Sequence, residues 1–171
     1  VKLLIHDLSE EALLKILPDA GNEFGKIVYP QQPIRQCTGC FGCWIKTPGA
    51  CVIKDDYGEL GQLFARCEEV LLISRCVYGG FSPFVKNVLD RSIGYMHPDF
   101  VIKNGEMHHK RRYSNSFKLQ VWFYGECTAS ERETAQKLVQ ANALNLDCEI
   151  KEIKFLTGLQ VRRDCNESGL N

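Results

Sequence analysis

Four of the nine cysteines in this 171-residue chain fall within fifteen residues, at Cys37, Cys40, Cys43 and Cys51, spaced C-x2-C-x2-C-x7-C. Thiolates at that spacing can wrap a zinc ion or an iron–sulfur cluster, or serve as redox thiols. The same residues could also do no chemistry and simply fill a tight loop with small, soft side chains. Trp44, Pro48 and Gly49 stand between the last two cysteines, and Asp55 and Asp56 follow. Cys67, Cys76, Cys127, Cys148 and Cys165 fall in or beside regular-looking segments and read as inert core thiols, with Cys76, on the turn after the third strand, a partial exception. An odd count spread in this way fits a reducing cytoplasm better than a secreted disulfide framework. The four histidines form no recognised metal spacing. No Gly-x-Ser-x-Gly, Gly-x4-Gly-Lys-Ser/Thr or His-Glu-x2-His motif is present, which argues against hydrolase, triphosphatase and zinc-protease chemistry.

Twenty-one basic residues balance twenty-one acidic ones, so no bulk field draws the chain to nucleic acid or to a membrane. Its length suits one domain, 1–171, with a real core. The longest apolar runs are far too short to span a bilayer. No charged-then-apolar leader opens the chain, and Val1 stands directly before an apparent core strand.

The elements that must position the cysteines follow from local pattern. Apolar runs at 2–7, 25–29, 69–74 and 117–124, with an alternating segment at 148–156, read as five strands. Ser9 before Glu10 and Glu11 opens a first helix, which Pro18 and Gly21 close. Leu60, Leu63, Phe64 and Cys67 recur at helical spacing over 57–67. Ser82 and Pro83 start a helix with Phe84, Val85, Val88 and Leu89 on its buried face. Ser130 is expected to cap a long helix lined by Ala135, Leu138, Val139, Asn142, Ala143 and Leu146. Residues 94–116 show no period and read as an excursion from the core layers; the tail from Thr157 shows none either. Strand and helix alternating through short connections predict a parallel sheet covered on both faces, with its ligand edge beyond the strand ends. On that topology the cysteine loop and the turn after residue 74 are neighbours.

C-x2-C-x2-C-W, P-G-x-C and D-D, then a strand, then V-Y-G-G-x-S-P-x-V-K-N-x-x-D-R, resemble the flavodoxin-like NAD(P)H-dependent FMN reductases and their near relatives, the iron–sulfur flavoproteins. The resemblance covers about 1–156, and its specific part is 37–91. It implies a doubly wound, three-layer α/β fold with a five-stranded parallel sheet in the order 2-1-3-4-5. It implies FMN as cofactor, NAD(P)H as donor and a quinone-like, nitro or protein acceptor. Cys76, Val77, Tyr78, Gly79, Gly80 and Phe81 then take the places that pack on the flavin ring, with Gly125 and Glu126 as a second ring-side loop. Lys86, Asp90 and Arg91 match the family's helix signature, as ligand contacts or as structural pairs. Cys37, Cys40, Cys43 and Cys51 match the ligands of a [4Fe–4S] cluster. A homodimer or homotetramer is implied as well.

The resemblance breaks after the first strand. A phosphate-gripping loop there is rich in Ser, Gly and Arg, whereas this chain has H-D-L-S-E-E. Ser9 and helix N–H groups are all that remain for a phosphate, and Asp7, Glu10 and Glu11 would repel a dianion. Lys110, Arg111 and Arg112, beside His108 and His109, are an alternative phosphate partner from a second subunit. The rival reading is a flavodoxin-fold protein without FMN phosphate binding, serving as a cluster or metal electron-transfer module or as an interaction module.

Overall fold

A computed structural model describes residues 1–158. Five strands, β1 (Lys2–His6), β2 (Lys26–Val28), β3 (Glu69–Arg75), β6 (Lys118–Tyr124) and β7 (Glu149–Leu156), form one sheet in the order β2-β1-β3-β6-β7. Every pairing in it is parallel. Counted along the sheet strands alone, this is the expected 2-1-3-4-5 order.

Successive side chains of a strand point to opposite faces, so a strand buried on both sides must be apolar throughout. Leu3, Ile5, Val70, Leu72, Leu119, Val121 and Phe123 enter one hydrophobic cluster, while Leu4, Leu71, Ile73 and Tyr124 enter a second on the other face. Helices α5 (Pro83–Arg91) and α6 (Ala129–Leu146) cover the first cluster with Val85, Val88, Ala135 and Val139. The short helices α1 (Glu10–Ile16) and α2 (Ala20–Glu23) cover the second with Leu13 and Ala20. Three layers result.

Several boundaries differ from those expected. The 57–67 helix shortens to α4 (Leu60–Phe64), because Gly58 and Asp55 close a turn at its entrance. Thr128, not Ser130, caps α6: its hydroxyl accepts from Glu131 N while the Glu131 carboxylate accepts from Thr128 N, a reciprocal capping box. The excursion at 94–116 is no irregular loop. It contains an antiparallel hairpin of β4 (Met96–Lys103) and β5 (Glu106–Arg111). Asn104 and Gly105 make its two-residue turn, both at positive φ (51° and 83°), as a type I′ turn requires. Lys103 and Arg111 both pair with Asp147 at the end of α6, which moors the hairpin to the body. Residues from 159 on, with Cys165, lie outside the described residues.

Three glycines set how close the cysteine segment comes to this frame. A Cβ on Gly61 of α4 would sit 2.5 Å from Gly49 O and 2.9 Å from Tyr95 N, and one on Gly94 would sit 3.1 Å from Gly49 C. These neighbours are backbone and cannot swing away. Gly61→Ala is therefore expected to destabilise the protein by about 1–3 kcal/mol in urea unfolding. Gly21→Ala, where nothing lies within 4 Å, should change stability far less.

Candidate functional site

Arg91 ends α5 with its side chain fully buried. Its guanidinium donates to both carboxylate oxygens of Asp55, at 2.7 and 2.9 Å. It also donates to the Arg35 carbonyl at 2.9 Å and, through Nε, to Cys51 Sγ at 3.1 Å. One side chain thus ties down both ends of the cysteine segment. Arg91 holds the Asp55 carboxyl below the usual carboxylate range, against the opposing effect of burial, and Asp55 raises Arg91 in turn.

Between those anchors the chain turns tightly. Gly39 and Phe41 sit at positive φ (65° and 55°), delivering the chain into the one-turn helix α3 (Gly42–Ile45). Gly42 has no room for a side chain, since a Cβ would meet Val52 at 2.5 Å. The Trp44 indole N–H donates to Met96 O at 3.0 Å, and its ring stacks on Phe41 and tilts against His109. Trp44 is thus the anchor between the cysteine loop and the hairpin.

All four cysteines line one cleft of about 660 Å³, a size suited to a small planar ligand. Phe41, Ile53, Phe81, Leu89, Met96 and Leu138 give it mostly apolar walls. Cys43 is buried, Cys51 half-buried, and Cys37 and Cys40 exposed. Desolvation pushes the Cys43 thiol up, and the charges of Cys51, Cys37 and Cys40 push it further. Cys40 moves the other way: the Gly42 N–H and then the Thr38 hydroxyl favour its thiolate. Among the described residues no three His, Cys, Asp or Glu side chains close on a point as they would around a single ion. The four sulfurs share a wall without forming a closed zinc-type site. A multi-iron cluster spaces its thiolates more widely than one ion does, and its chemistry suits an all-thiolate set with a donor on one sulfur.

The sheet edge is filled differently. The Ser9 hydroxyl accepts from Ala12 N as an ordinary helix cap. Asp7 accepts from Arg75 N at 3.2 Å; burial raises its carboxyl, while the Ser82, Arg75 and Tyr124 donors oppose the rise. His6 is buried, stacked on Tyr29, and takes the Leu8 N–H on Nδ1. Where a phosphate would sit there is a carboxylate with its own donors, and the residues after β1 do not fit an FMN phosphate. Of the basic run, Arg111 pairs with Asp147 and Arg112 donates through Nε to Gly94 O.

The turn after β3 is tight. Val77 and Gly80 exchange both backbone hydrogen bonds, at 3.0 and 2.8 Å. Gly79 (φ 78°) lies against Thr134 and the Glu131 carbonyl of α6. Phe81 is buried on Phe123 and belongs to the core, whereas Tyr78, 89% exposed, is the free aromatic. Gly80 and Phe81 border the cysteine cleft; Ser9, Cys76, Val77, Tyr78, Gly79, Gly125 and Glu126 do not. Lys86 pairs with Asp90 on the surface of α5 at the cleft mouth. The sequence reading did not foresee Asp55 as the partner of Arg91. The paired D-D after the fourth cysteine was the available signal.

No family model matches the chain. It is 36% identical over 87 residues to an iron–sulfur flavoprotein of Archaeoglobus fulgidus, a match covering 51% of this chain and 39% of that protein. The matched part is thus about two fifths of the curated relative's length. Among solved structures it is similar to azoreductase AzrA (TM-score 0.55, 10% identity, 91% of this chain and 87% of that one). It is also similar to an NAD(P)H:quinone oxidoreductase from Methanothermobacter marburgensis (TM-score 0.53, 14% identity, 91% and 84%). A third is general stress protein 14 of Treponema denticola in complex with FMN (TM-score 0.52, 10% identity, 90% and 84%). The fold is flavodoxin-like, and the chain's neighbours are of the flavin-reductase kind that the sequence resemblance named.

Two expectations follow. Arg91→Met should cost about 3–5 kcal/mol, because it strands the Asp55 carboxylate, and adding Asp55→Leu should return part of that loss in a double-mutant cycle. Asp55's folded pKa is depressed, so its contribution is present above an unfolded value of about 3.9 and lost as pH falls through the lower folded value. Asp55→Asn should flatten that acid limb. Burial also lowers His6 to about 4. The unfolded chain then binds a proton that the fold refuses between about pH 6.5 and 4, so stability falls as pH drops through that window, by of order 3 kcal/mol. The raised Asp7 acts in the opposite sense, so the difference in slope between wild type and His6→Gln isolates the histidine.

Proposed function

We propose that the chain is a redox protein of the flavin-dependent oxidoreductase class, passing electrons from NAD(P)H to a quinone-like, nitro or protein acceptor. The observation that carries this reading is the set of four thiols on one wall of an apolar cleft beside the Val77–Gly80 turn, fixed by a buried guanidinium. The stretch shared with an iron–sulfur flavoprotein and the flavodoxin-like fold support it. In this reading Cys37, Cys40, Cys43 and Cys51 hold a [4Fe–4S] cluster, and Arg91 donates to the Cys51 sulfur. The Tyr78 ring and the Gly79 and Gly80 backbone are the contacts left for a flavin ring, whose phosphate finds no cradle after β1. When bound, a flavin supplies two-electron chemistry with nicotinamide and a cluster supplies one-electron transfer. The chain's own part is to exclude water from Cys43 and hold the thiols on one wall. Exposed Phe100, Ile102 and Met107 on the hairpin favour a homodimer or homotetramer.

The carboxylate of Asp7 in the phosphate position favours a second reading. There the protein keeps no FMN and works through the cysteine cleft alone, as a cluster or metal electron-transfer module or as an interaction module. Protein purified without oxygen should carry iron and acid-labile sulfide, a broad visible shoulder and flavin bands on addition of FMN, with NAD(P)H oxidation when an acceptor is supplied. Iron and sulfide without retained flavin would select the second reading. A colourless protein lacking iron, and silent with NAD(P)H and FMN, would sink both.

A further inference from the structure

Cys127 reads from sequence as an inert core thiol and Cys76 only partly so, yet their Sγ atoms stand 3.1 Å apart. Cys76 follows β3 and Cys127 follows the neighbouring strand β6, on the same edge of the sheet. Arg75 is in register with Tyr124, and Cys76 N donates to Tyr124 O at 2.9 Å. Cys127 is fixed from the other side, where Arg132 donates to its carbonyl and Thr128 begins the capping box of α6. Cys67 is the contrasting case, a buried thiol donating to the Leu63 carbonyl as an ordinary core cysteine does.

We infer that Cys76 and Cys127 are a redox pair that closes to a disulfide within the folded protein. The sulfurs lie about 1 Å beyond the 2.03–2.05 Å of a disulfide. Cys127 is half-buried and Cys76 buried, so Cys127 is the sulfur a small oxidant reaches.

With a low-molecular-weight disulfide as oxidant the exchange balances. The Cys127 thiolate attacks one sulfur of that disulfide, whose S–S bond breaks, and one small thiol leaves carrying a proton. The Cys76 thiolate then attacks the Cys127 sulfur of the mixed disulfide. The Cys76–Cys127 bond forms and the second small thiol leaves with the second proton. Two protein thiols are oxidised and one small disulfide is reduced. Burial, reinforced by Cys76 and Glu131 and opposed by Arg132, pushes the Cys127 thiol up to about 12. The exchange is accordingly slow at neutral pH.

The closed bond would tie the Val77–Gly80 turn to the start of α6, which Gly79 already touches. It involves none of the cleft cysteines and stands whether or not flavin or a cluster binds.

The test uses folded, reduced wild-type chain exposed to oxidised glutathione, followed by alkylation of the remaining thiols and tryptic digestion without reductant. Cleavage after Arg75, Lys86, Lys118 and Arg132 places Cys76 and Cys127 alone in peptides 76–86 and 119–132. The expected product is these two peptides joined, lighter than their sum by two hydrogens. The melting temperature should rise by several degrees and return on addition of a thiol reductant. Recovery of both peptides separately alkylated, or joined instead to peptides from 37–51, overturns the inference. Cys127→Ser should melt near reduced wild type and show no shift with oxidant. A shift that persists in it overturns the inference too, and if the variant fails to fold the wild-type peptide map decides alone.

Discussion

The buried ion pair of Arg91 and Asp55 is the interaction on which the rest of the site depends. A guanidinium taken wholly out of water is tolerated only where its donors are met, and here a carboxylate, a carbonyl and a thiol sulfur meet them. The partners come from a loop that makes no strand and only one helical turn. Without them, the segment from Arg35 to Asp55 would have Trp44 and the Gly49–Gly61–Gly94 interlock as its remaining holds on the body. The guanidinium therefore acts as the cysteine loop's core, in a place where the sequence supplies little apolar bulk.

The sheet edge after β1 and the cysteine cleft differ sharply in what they present. After β1 three backbone donors are met by the chain's own side chains: Asp7 takes Arg75 N, His6 takes Leu8 N and Ser9 takes Ala12 N. The Asp7 carboxylate at that edge opposes a dianion beside it. The cleft, by contrast, is apolar, open at Cys37 and Cys40, and lined with sulfur. The chain keeps the flavodoxin-like fold, with its thiol-lined cleft bordered by Gly80 and Phe81.

Strands were legible because burial on both faces forces continuous apolar runs such as V-L-L-I. The hairpin was not, because its apolar residues Phe100, Val101 and Ile102 are consecutive and exposed, and so follow neither period. Its Asn104–Gly105 turn was a readable signal in the sequence. The cap of α6 was misplaced by two residues because Ser130 looks like a cap in isolation, whereas the T-x-x-E reciprocity of Thr128 and Glu131 decides. The cysteine set was legible from spacing alone. Arg91's partners and the Cys76–Cys127 approach were not, since 36, 40 and 51 residues separate those pairs and only the folded sheet brings them together.

The unequal burial of the four cleft thiols bears on how any centre would be assembled there. Cys43 rests on α3 against Gly94, and Cys51 is held by the Arg91 guanidinium and by its own N–H bond to Gly58 O. Cys37 and Cys40 ride on the exposed stretch around Gly39. A centre that used all four would meet two sulfurs already held against the body and two open to solvent at the lip.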